Sequence, residues 1–127
     1  MRDYIFGLDF GLIKWNLMNP AVGSQLPISQ DKADFSETLY KRWLFLRRKH
    51  EGESMPPSAD IDEFWHAHIL DTFAYTEHCD RIFGYYFHHY PYFGTRGKAD
   101  EQALYQAWDN TMEWYQAEFG EPLYQYD

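Results

Sequence analysis

Four stretches of this chain carry apolar side chains at steps of three and four residues, and each is closed by proline or glycine. Apolar and polar residues alternate over no comparable length, so helices have no competing strand pattern. The first stretch, Asp3 to Asn19, sets Ile5, Leu8, Leu12 and Trp15 in one stripe and ends at Asn19-Pro20, where proline disfavours a helical predecessor. A second helix is predicted from near Asp31 or Asp34, with Phe35, Leu39, Trp43 and Leu46 on one face and Gly52 just past its end. Asp60 followed by Glu63 has the form of a capping box, so a third helix should begin near Ile61 and run to about Ala74. Helical spacing continues through Tyr75, Cys79, Ile82 and Phe83, with His88, His89 and Tyr90 closing it before Pro91. The last helix, Ala99 to Phe119, repeats Leu104, Trp108, Thr111, Met112, Tyr115 and Phe119 and stops at Gly120. The fold class that follows is all-α, a compact bundle of four or five helices. Residues 1–127 are read as a single helical domain with a histidine-rich motif at 58–91.

Such a bundle needs apolar surface, and 11 Tyr, 10 Phe and 5 Trp supply it in a chain of 127 residues. That content excludes a disordered acidic segment. One cysteine cannot form an internal disulfide, so a reducing, cytoplasmic setting is expected. A net charge of -9 opposes nucleic-acid binding, which depends on clustered cations. No run of about 20 apolar residues suggests a membrane span. A protein or small-molecule partner is therefore expected, and neither a nucleic acid nor a membrane. Eight of the 11 basic residues lie in residues 1–50, whereas 15 of the 20 acidic residues lie in 51–127, so the two halves should attract. The run Lys41, Arg42, Arg47, Arg48 and Lys49 could bind an anion, but cations in a last helical turn more often oppose the macrodipole.

Chemistry concentrates between residues 58 and 91. His66, His68, His78, His88 and His89 lie there with Cys79, Asp62 and Asp71, and imidazole, thiolate and carboxylate are the usual transition-metal ligands. Residues two apart on a helix point about 200° apart, so His66 and His68 should not share an ion. Asp62 and His66, four apart, can. His66 is read as facing the core beside Trp65, Ile69 and Phe73. The predicted metal set is Asp62, His66, Cys79 and His89, with His68, Asp71 and Tyr75 supporting it and zinc or iron as the ion. Sharing one ion requires the His66 and His89 side chains to lie within about 8 Å. An open position on the ion would activate water or oxygen. A nucleophilic Cys79 ranks below this, because apolar neighbours raise a thiol pKa. No phosphate-binding loop or nucleophile elbow occurs. The reading from a different class is a non-catalytic interaction or regulatory module in which these side chains only organise the core.

The string from Pro56 through Trp65-His66-Ala67-His68 to Thr72, with Tyr75, His78-Cys79, Phe83-Gly84 and His88 to Gly94, resembles the glycine-rich domain-containing protein-like family of small bacterial proteins. Its core motif is similar to the amino-terminal domain of plant glycine-rich domain proteins. The resemblance implies weight on His66, His68 and His89 and less on Cys79. It carries a motif and no reaction.

Overall fold

The computed structural model describes residues 1–127, all of them in helices, turns and irregular segments. Six helical segments follow in order: α1 (Arg2–Phe6), α2 (Gly11–Met18), α3 (Gln30–Lys49), α4 (Ala59–Leu70), α5 (Thr72–Phe83) and α6 (Lys98–Phe119). The all-α bundle is as expected, with α3 at its centre packing on α1, α2, α4 and α6. No helix is long and apolar enough to cross a membrane.

The expected first helix is two. Gly7 ends α1, and the Asp9 carboxylate accepts from the Gly11 amide at 2.9 Å to start α2. Lys41 of α3 donates to the carbonyls of Phe6 and Leu8 at 3.2 and 2.7 Å, holding the break in place. The turn rotates the stripe, so Leu8, Phe10, Ile13 and Leu17 are buried while Leu12 is 81% exposed.

Ser29 caps α3 through Lys32 N, and Ser58, not Asp60, caps α4 through Ile61 N. Asp60 is instead buried, and its Oδ2 accepts from the Tyr126 amide at 3.0 Å, tying the C-terminal segment to the start of α4. Most of the basic run of α3 is consumed by cross-links, Arg47 being the member without a carboxylate partner. Arg42 pairs with Glu121 at 2.6 Å and Lys49 with Glu118 at 2.7 Å, while Arg48 donates to the Ile82 carbonyl. These two ion pairs join the basic first half to the acidic second.

The core is one cluster running from Ile5 to Tyr115, built around Tyr40, Trp43, Phe64, Trp65 and Tyr75. Helix α4 stops at Leu70, short of Ala74, and α5 starts after Asp71. Gly84, with φ +81°, closes α5 in the left-handed region that glycine tolerates. His88, His89 and Tyr90 therefore do not extend a helix, as the spacing suggested, but follow in an irregular segment. The aromatic loop after it packs back on α6. Gly94, at φ +90°, sits so close that an added Cβ would lie 2.5 Å from Leu104 Cδ2, and Asp100 accepts from the Gly94 amide.

Candidate metal centre

Helix α4 carries a buried face and an open one. Ile61, Phe64, Trp65 and His68 point inward, and at 100° per residue this sets Asp62 and His66 on the solvent side. The expectation that His66 faces the core is thus reversed. His66 is 56% exposed in its side chain, and His68 takes the core position at 1%.

Asp62 and His66 lie one helical turn apart, with Asp62 Oδ2 3.5 Å from His66 Nε2. His89 arrives from the segment beyond α5. Its Nε2 lies 2.8 Å from Asp62 Oδ1 and 3.0 Å from His66 Nε2, well inside 8 Å. Trp65 and Tyr75 bring it there. The Tyr75 hydroxyl accepts from Trp65 Nε1 at 3.0 Å and donates to the Phe87 carbonyl, fixing the chain two residues before His89. The indole of Trp65 then stacks on His89, with centroids 4.2 Å apart and planes 23° apart. Tyr75, expected as a supporting residue, acts by positioning backbone.

Three side chains that can offer lone pairs therefore converge, with a different oxygen of Asp62 facing each imidazole. Donors about 2.1 Å from a common ion stand about 3.0 Å apart at right angles and about 3.4 Å apart in a tetrahedron. The observed separations of 2.8, 3.0 and 3.5 Å span that range. Hydrogen bonding alone satisfies the trio poorly. A neutral imidazole has one N–H, so His89 Nε2 cannot both donate to Asp62 and accept from His66.

Cys79 does not join the group whose ligand atoms lie within 4.8 Å of one another, which holds Asp62, His66 and His89. It is buried on the inner face of α5. Burial raises its thiol pKa against the lowering effects of the Phe87 backbone and the Tyr75 hydroxyl, which disfavours thiolate as ligand or nucleophile. Asp71 does not serve His68 either, because both imidazole nitrogens are taken. His68 Nδ1 lies 2.7 Å from the Tyr40 hydroxyl, and Nε2 lies 2.8 Å from His78 Nδ1. Tyr40 has no other partner for its proton, so it donates to Nδ1 and the Nε2–H donates to His78. Burial, with the neighbouring His78, lowers the His68 pKa to about 3. His78 itself is half-buried.

A family model, described as UCP032817-like, matches residues 25–117. The chain belongs to the UCP032817-like family. The UCP032817-like match runs from before α3 almost to the end of α6, so Asp62, His66, His68, Tyr75 and His89 all lie within it. It overturns the resemblance to the glycine-rich domain-containing family, to which nothing in the comparisons points. The Trp65-His66-Ala67-His68 string that carried that resemblance is short, and packing explains two of its members, since Trp65 and His68 are core residues. No curated protein and no solved structure matches the chain.

Trp65 as the platform for His89, and Tyr40 and His78 as the partners of His68, were not assigned from sequence. The adjacency of Trp65 to His66 was the available signal for the first. Nothing local relates Tyr40 to His68, 28 residues away.

Proposed function

We propose that this helical protein binds a divalent transition-metal ion, zinc or iron, through Asp62 Oδ1 or Oδ2, His66 Nε2 and His89 Nε2. The observation that carries the reading is the convergence of one carboxylate and two imidazoles within 3.5 Å, with His89 Nε2 unable to donate to Asp62 and accept from His66 at once. Two histidines and a carboxylate suit zinc and non-haem iron alike, and three protein ligands leave a position open. An ion held this way supplies Lewis acidity.

This chain's own residues divide the remaining work. Asp62 contributes negative charge, and the helical turn of α4 presets its spacing to His66. Trp65 limits rotation of the His89 ring by stacking, and Tyr75 anchors the segment that delivers it. His68, expected as a supporting residue, supports the centre only through the packing of α4. Cys79 is left out of the ligand set.

Elemental analysis of the untagged protein, purified after growth with several metals supplied, tests the reading. Close to one ion per chain is expected, falling to background in the His66→Ala, His89→Ala double variant. Equal metal content in the two proteins, or none in either, rejects it.

A further inference from the structure

His89 also borders a cleft of about 460 Å³ that opens beside the trio, within the size range of small-molecule sites. Trp43, Trp65, Phe87 and Phe93 contribute apolar wall. Two features give the cleft a chemical preference. The first is charge. Arg47 and Arg96 both line it, against the single carboxylate of Glu53, in a chain whose net charge is -9. Arg96 is already neutralised by a two-point contact with Asp100. Arg47 is not. Its Nη1 donates to the His50 carbonyl at 3.1 Å, and its guanidinium lies 5.1 Å over Phe87, with no carboxylate in salt-bridge range. A guanidinium has five N–H donors in a fork suited to carboxylate, so most of that capacity is unused. The second feature is the aromatic wall, in which Trp65, Phe87 and Phe93 offer ring surface to an apolar body.

We propose that this cleft binds a small organic anion: an aromatic body packed against Trp65, Phe87 and Phe93, its carboxylate held by Arg47. The site goes beyond the metal reading, because Arg47 and the aromatic wall are present whether or not an ion is bound at His89.

Calorimetric titration of the full chain with 1-naphthoate and with its uncharged carboxamide tests the assignment. Both titrations contain EDTA, so the metal reading cannot decide the result. Naphthoate is expected to bind at least about tenfold more tightly than the amide, the size of effect of losing a hydrogen bond to a charged group. Arg47→Gln should remove that difference, and Glu53→Gln should tighten naphthoate by removing a like charge. The comparison of the two ligands uses the unaltered chain and so does not depend on a variant folding. No naphthoate binding at millimolar concentration, equal affinity for the amide, or undiminished binding by folded Arg47→Gln each overturns the proposal.

Discussion

Asp62 Oδ1 and His89 Nε2 meet at 2.8 Å across 27 residues of sequence, and neither side chain is buried. A partly exposed polar contact of this kind is worth little to stability on its own, about 0–1 kcal/mol even as an ion pair. Its geometry therefore bears more on binding than on folding.

Zinc should raise the midpoint of thermal unfolding of the wild-type chain, since a ligand that binds only the folded state stabilises it by mass action. Asp62→Asn keeps the shape of the side chain but removes its charge. That variant should unfold within about 1 kcal/mol of wild type when metal-free and show a much smaller zinc-dependent shift. Scanning calorimetry with and without zinc measures both quantities, and an undiminished shift in the variant would remove Asp62 from the ligand set.

Tyr75→Phe should act at two levels. Trp65 Nε1 and the Phe87 carbonyl both lose their partner, and each buried group left unpaired costs about 1–3 kcal/mol. The segment carrying His89 loses its anchor, so zinc affinity should fall although no proposed ligand has changed. Urea denaturation reads the first effect and a zinc titration the second. Normal affinity in a destabilised variant would confine Tyr75 to the core.

Acid should destabilise the protein through His68. Its folded pKa of about 3 lies below the ordinary value of 6.5, so the unfolded chain takes up a proton that the folded one refuses. The loss begins as pH falls through about 6.5 and is complete near 3, at up to about 1.4 kcal/mol per pH unit between them. His68→Gln keeps an acceptor for Tyr40 and a donor for His78 without titrating. Denaturation midpoints at pH 7, 6 and 5 should therefore fall less steeply in the variant, and parallel curves would show that His68 protonation is not the cause.

Gly94→Ala should destabilise the aromatic loop by about 1–3 kcal/mol, a typical cost for a non-glycine residue held at positive φ. The new Cβ also meets Leu104, so Leu104→Ala should recover part of the loss and leave the backbone part. A double-mutant cycle from denaturation curves separates the two, and strict additivity would show that the steric contact is not made.

Much of the fold was legible because helical periodicity and stop residues are local properties. Gly120 ends α6 where the pattern ended, and all-α packing followed from the absence of alternation. Legibility failed where distant residues decide. Lys41 stabilises the break between α1 and α2 from 33 and 35 residues away, and Asp60 serves Tyr126 rather than its own helix start. At the candidate centre, the Asp62–His66 spacing was readable from one helical turn. The assignment of His66 to the core failed because Ile61, Phe64, Trp65 and His68 together define the buried face, and the apolar neighbours of His66 include Phe73, which is 92% exposed. Cys79 suggested a ligand by residue type alone, but α5 turns it inward.

Gly84 ends α5 and leaves His89 on a segment with no helix of its own. Asp62 and His66 are neighbours as soon as α4 forms, whereas His89 must close a 27-residue loop to reach them, at an entropic cost that grows with loop length. On the metal reading, the ion is a reversible clasp across that loop, a role that disulfides fill in many small secreted domains and that a lone buried cysteine cannot fill here. Metal supply would then set how tightly the mouth of the neighbouring cleft is held.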